Sequence, residues 1–259
     1  MDIADRIRPM GILRSFVAGV VPATILYVTH YVLVPAFVLR TGQSYLVGYL
    51  LGWASTMTLF FIGALAAHRL EGNPWRWSAF TARYRLGRMS GQDWAWTGGM
   101  FAFILASYLG LSFTARWLAQ HPWFAPHPIF PTELQPGGAT ARAPGMLMGS
   151  PITGVGWVAV AYAVGWFFNI AGEELWFRGY VLPRQEAAMG RHAWIANGLM
   201  FTLNHIWQPW NLLVLLPGAL VASLVAQRRR STWILMIAHG VANAAGVVVA
   251  ALNALGLVI

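Results

Sequence analysis

The chain contains no cysteine and no lysine, and only eight of its 259 residues are acidic. Without cysteine there is no disulfide, no thiolate metal site and no cysteine nucleophile. Without lysine, all 17 basic residues are arginine, giving a formal net charge of +9. That usage reads as genome composition rather than mechanism. Charged residues make up 10% of the chain, against about 25% in an average soluble domain. Hydrophobic residues make up 58%, and mean hydropathy is +0.56. A soluble core of this size cannot hide so much apolar surface, so the composition points to an all-α, polytopic transmembrane bundle. The arginines lie between hydrophobic runs, which makes the charge a matter of topology and not of nucleic-acid binding. Also missing are a Gly-x-Ser-x-Gly elbow, paired aspartates within the apolar runs, a Walker loop and an internal repeat.

What is present is a series of apolar runs. About 20 such residues span a bilayer, and the pattern predicts seven spans: 15–39, 44–67, 94–118, 153–174, 193–207, 211–227 and 232–253. The first follows Arg6, Arg8 and Arg14 and continues to Leu39 without a small-residue cleavage site, so it reads as a retained span. With the N-terminus inside, 14 arginines fall on cytoplasmic segments and three (Arg40, Arg116, Arg142) outside. The split predicts an N-in, C-out protein, multi-pass in a bacterial inner membrane. Residues 1–259 read as one membrane domain. Segment 68–93, basic and aromatic, reads either as an interfacial element on anionic lipid or as a solvated loop. Segment 119–152, with seven prolines, reads as an irregular outer loop. The turn Trp207-Gln-Pro-Trp-Asn211 reads either as interfacial or as a buried break.

Polar residues inside these runs carry the functional signal. Glu173 and Glu174 sit side by side in an apolar stretch, where a carboxylate costs about 3 kcal/mol or more. Four residues on, Arg178 offers Glu174 an ion pair one turn away, whereas Glu173 is rotated by about 100° and needs another partner. Phe201 and His205 form a second set, and His239 and Asn243 a third. Glu173, His205 and His239 lie 11, 14 and 9 residues from Arg184, Arg191 and Arg230, or roughly 14–21 Å along their helices. Similar depth on three helices predicts one shared cavity opening to the cytoplasm. Singly, each group has a plainer role: ion pairing for Glu174 and Arg178, interhelical bonding for the histidines and Asn243, packing for Phe201. Asn169, Asn197, Asn204 and Asn253 read as packing or capping groups.

Together the sets suit peptide hydrolysis. Glu173 takes a proton from water, His205 orients that water or shuttles the proton, His239 and Asn243 donate to the oxyanion, and Glu174 and Arg178 support them. No cofactor is then required. A zinc alternative uses Glu173, His205 and His239 as ligands with Glu174 as base, although the His-Glu-x-x-His helix is absent. Readings from other classes are a non-catalytic membrane adaptor or immunity protein, and a proton-coupled transporter, which the missing repeat disfavours.

At these residues the chain resembles the CAAX prenyl endopeptidase type II family, also called the CPBP or abortive-infection family of intramembrane proteases. Glu173-Glu-Leu-Trp-Phe-Arg178 is similar to its Glu-Glu-x-x-x-Arg motif. Phe201-Thr-Leu-Asn-His205 is similar to Phe-x-x-x-His, and His239-Gly-Val-Ala-Asn243 to His-x-x-x-Asn. The resemblance covers roughly residues 153–247. It implies an α-helical membrane protease with metal-free glutamate catalysis and the roles given above. It also implies a membrane-anchored protein or peptide as substrate, lipidated or bearing a sorting signal. Oligomeric state does not follow from it.

Overall fold

The computed structural model describes residues 7–138 and 144–257, leaving Arg6 and Arg142 of the charge pattern outside the described residues. Among the described residues five helices are long and apolar enough to cross a membrane: Ile12–Thr41, Tyr45–Leu70, Gly91–Leu118, Pro209–Arg229 and Trp233–Ala254. The first comprises α1 (Ile12–Val28), a π-helical turn (Thr29–Leu33) and α2 (Val34–Thr41). The others contain α3 (Tyr45–Leu70), α5 (Gly91–Leu118), α9 (Leu212–Arg229) and α10 (Trp233–Ala254), and α4 (Trp77–Arg83) is a short connector. The two remaining expected spans are α6 (Gly156–Glu173) and α8 (Ala193–Leu203), with α7 (Leu182–Met189) between them. Neither is among the five. Instead of running from 193 to 207, α8 stops after 11 residues, about 17 Å of helix. The chain breaks there because Asn204 to Gln208 turn into a short 3-10 helix at Pro209–Asn211. Trp210 in that break is fully buried, which decides for the buried alternative.

The helices close a ring of neighbours. In turn, α1 packs on α8, α8 on α9, α9 on α5, α5 on α10, α10 on α6, α6 on α3, and α3 back on α1. Two glycines permit close approaches between helix backbones. A Cβ at Gly172 of α6 would lie 2.7 Å from the Met57 carbonyl oxygen, and one at Gly198 of α8 2.8 Å from the Leu220 Cα. Small residues let helix backbones meet in this way.

One end of the ring is tied by ion pairs. Glu71 accepts from Arg83 at 2.5 and 2.8 Å and from Arg184 at 2.8 Å. Arg85 makes a bidentate pair with Glu186, and Arg229 pairs with Asp93. Segment 68–93 is therefore neither a solvated loop nor purely interfacial. Arg83 and Tyr84 are buried in the bundle, where the Tyr84 hydroxyl donates to the Ala64 carbonyl and Thr232 donates to the Tyr84 carbonyl. Its outer face still exposes Trp75 and Trp77. At the other end, segment 119–152 contains a 3-10 turn, Thr132–Leu134, and a two-residue antiparallel hairpin pairing Met146–Leu147 with Ser150–Pro151. Phe130 and Leu147 are buried, and Gly145 donates to Asn253. The segment is thus an ordered cap over its described length rather than an irregular loop.

Burial alone would push the Glu71 carboxyl up, but the hydrogen bonds and charges of Arg83 and Arg184 outweigh it and hold Glu71 below its ordinary 4.5. A depressed carboxylate contributes stability that is full above the ordinary value and is lost as pH falls through the folded one. Glu71→Gln is expected to destabilise the protein by about 2 kcal/mol near neutral pH and by less in acid, as thermal unfolding in detergent across pH would record. Gly172→Ala, forcing α6 away from Met57, is expected to cost about 1–3 kcal/mol in the same assay.

Candidate active site

The carboxylate pair sits where α6 changes pitch. Residues Glu174–Val181 form a π-helix, with Leu182 N–H bonded to the Phe177 carbonyl five residues back. Two residues beyond lies Pro183. Proline brings no N–H, and its ring crowds the carbonyl four residues earlier, here that of Gly179. Widening the helix relieves the crowding, and Arg83 Nη1 donates to the Gly179 carbonyl at 2.9 Å. The Phe177 carbonyl accepts as well from Asn197 Nδ2 at 2.9 Å, while Asn197 Oδ1 accepts from Ser223. The unusual segment is thus supplied with donors from α4 and α8. π-Helical turns of this kind concentrate at functional sites.

Glu174 and Arg178 are both 1% exposed and pair at 3.4 Å. The closer partner of Glu174 is His239, whose Nδ1 stands 2.9 Å from Oε1. On the far side of the ring, His239 Nε2 meets Asn243 Nδ2 at 2.8 Å. A carboxylate accepts and an amide N–H donates, so the bonds fit a neutral imidazole protonated at Nδ1. The four residues form one relay, Arg178–Glu174–His239–Asn243. It runs from the buried π-helix to Asn243 at the exposed edge of α10.

Phe201 joins this relay to the second motif. The Arg178 guanidinium lies over its ring at 3.8 Å from the centroid, in the cation–π range. The His205 and His239 rings pack on it at 5.1 and 6.2 Å between centroids. His205 Nδ1 bonds the Phe201 carbonyl at 3.0 Å. A carbonyl only accepts, so Nδ1 carries the hydrogen and Nε2 keeps its lone pair. Phe201, expected as a supporting group, is the hub that all three motifs touch.

Glu173, 2% exposed, is held by Asn204, whose Nδ2 donates to Oε1 at 3.1 Å. The other carboxylate oxygen has no hydrogen-bond partner among the described residues. Asn204 was expected to be a capping or packing group, and it does end α8. Its side chain nevertheless faces Glu173. The sequence clue is its place beside His205 in an apolar run, which a helix-end asparagine easily disguises. Asn169 and Asn197 also hold specific bonds, Asn169 accepting from Trp53 Nε1.

Among the described residues no three His, Asp or Glu side chains gather as a metal site, and both ring nitrogens of His239 are engaged by protein groups. Two apolar concavities of about 260 and 370 Å³ flank Ile237 and Val241 of α10. Neither is lined by a motif side chain, and the site is organised by direct contact around Phe201 rather than around either concavity.

No curated protein and no solved structure matches the chain. A protein-family comparison does match, over residues 155–245, to the family described as Type II CAAX prenyl endopeptidase Rce1-like. That interval contains Glu173, Glu174, Arg178, Phe201, His205, His239 and Asn243. The chain is an integral membrane protein built of apolar helices, and through this segment it is similar to the Rce1-like CAAX endopeptidase family.

Proposed function

We propose that this protein is an intramembrane endopeptidase that hydrolyses a peptide bond in a membrane-anchored protein or peptide, with Glu173 as general base and no metal. The observation that carries the reading is the meeting of all three motifs on the Phe201 ring, with the Glu174–His239 bond closing the group. Water gives a proton to the Glu173 carboxylate as its oxygen bonds to the scissile carbonyl carbon. The same proton then passes to the leaving nitrogen as the C–N bond breaks, giving an amine and a carboxylic acid, which releases its proton to solvent. His205, its ring fixed by the bond from Nδ1 to Phe201, keeps Nε2 as an open acceptor and shuttles the proton between Glu173 and the leaving nitrogen. Asn243 has a second amide hydrogen to offer the oxyanion. His239 takes part by holding the Asn243 amide through Nε2, and it donates to the oxyanion itself only as the imidazolium, with that amide moved aside. Glu174 orients His239 much as a buried aspartate orients the histidine of a catalytic triad. Arg178 neutralises Glu174.

The arginine-tied end, carrying Arg83, Arg85, Arg184 and Arg229, faces the cytoplasm under the positive-inside rule. That orientation puts the N-terminus inside a bacterial inner membrane and lets the substrate enter from the cytoplasmic side, past Asn243. A lipid-modified or sorting-signal-bearing chain suits a site reached from the bilayer.

Glu173→Gln is expected to lower cleavage by about 100-fold or more with little loss of thermal stability; cleavage at the wild-type rate would remove Glu173 as base. Glu174→Gln is expected to differ in kind. It leaves Arg178 buried without its counter-ion and costs about 3–5 kcal/mol, which a melting experiment on the purified protein would show together with the loss of activity.

A further inference from the structure

Asn204 carries an unsatisfied atom at the candidate base. It is fully buried, and while Nδ2 is committed to Glu173, the amide oxygen Oδ1 has no protein donor. Buried polar atoms are ordinarily matched by protein or by ordered water. Here the open acceptor belongs to the same amide that grips the Glu173 carboxylate, and the free Glu173 oxygen makes a second open acceptor. One water, with two hydrogens, carries enough donors for both. The next residue in the chain, His205, has Nε2 free.

We infer that Asn204 is a positioning residue that sets both members of the reacting pair. Its N–H fixes Glu173, and its carbonyl oxygen takes one hydrogen of the attacking water so that the other points at the Glu173 carboxylate. Asn204 exchanges no proton. It suits the task because it is neutral, donating to a carboxylate while accepting from water, whereas an aspartate would repel Glu173 and a leucine would do neither. The inference rests on Glu173 as base, which makes water the relevant ligand.

The test uses the full-length protein and three variants, Asn204→Leu, Asn204→Ser and Glu173→Gln. A high-resolution experimental structure of the wild type should place a water about 2.6–3.2 Å from both Asn204 Oδ1 and Glu173, and the Asn204→Leu structure should lack it. An Oδ1 satisfied by protein, or a water unchanged in Asn204→Leu, overturns the inference. In kinetics on a substrate that the wild type cleaves, Asn204→Leu should lower kcat about 100-fold with KM within about twofold. Asn204→Ser, which keeps a hydroxyl, should recover part of the rate although serine fills the space worse than leucine. A packing role predicts the reverse order, Leu above Ser, and that order would also overturn it. Full activity in Glu173→Gln with the water site intact would instead contradict the proposed function and leave the water site standing.

Discussion

A buried guanidinium and a buried carboxylate set the terms for the motif-bearing half of this protein. Arg178 and Glu174 are each 1% exposed inside an apolar bundle. Taking either ion from water costs several kcal/mol, and their attraction offsets this only with good geometry and further bonds. At 3.4 Å their direct contact is long. The remainder comes from His239 on one side of Glu174 and from the face of Phe201 beneath Arg178. Supporting the pair thus requires α6, α8 and α10 to meet at one level. The same requirement brings His239 onto Glu174 and His205 onto the Phe201 ring, so the means of holding the charge is also the means of gathering the motifs.

The rest of the architecture serves that meeting. Pro183 widens the helix just where the pair sits, and the widened turn draws Arg83 onto the Gly179 carbonyl. Arg83 is in turn held by Glu71, which also binds Arg184. Segment 71–90 is therefore mechanically continuous with the π-helix, and the ion pairs at that end of the bundle act on the site through backbone and not merely through charge. Gly172, directly before Glu173, lets α6 lie against the α3 backbone. Enlarging that residue shifts Glu173 as well as the helix.

Much of this is legible in the residues. The all-α membrane class follows from the apolar runs, and the site residues follow from carboxylates, histidines and an asparagine at helical spacing in the last apolar runs. Two things are not legible. Where helices end inside the bundle depends on tertiary contacts: residues 193–207 are apolar enough to read as a span, yet the chain turns at Asn204 because Trp207 and Trp210 pack into the interior. The partner of Glu173 is hidden too, because a helix-end asparagine has the same spelling whether it caps the helix or grips a carboxylate one helix away. Similarly, Arg83 and Tyr84 look like loop residues until Glu71 and Ala64 are seen beside them. The π-helix could have been suspected from Pro183 falling four residues after Gly179 in an otherwise continuous helical pattern.

The central claim is that the site directs water onto a peptide bond of a membrane-embedded substrate. Isotope labelling of products tests it most directly: membranes holding the protein, and membranes without it, are incubated in H2¹⁸O, and the peptide termini are compared by mass spectrometry. The account predicts new pairs of termini that depend on the protein, each new carboxylate carrying one ¹⁸O atom from solvent. An identical set of termini with and without the protein, or new carboxylates without solvent label, would contradict it.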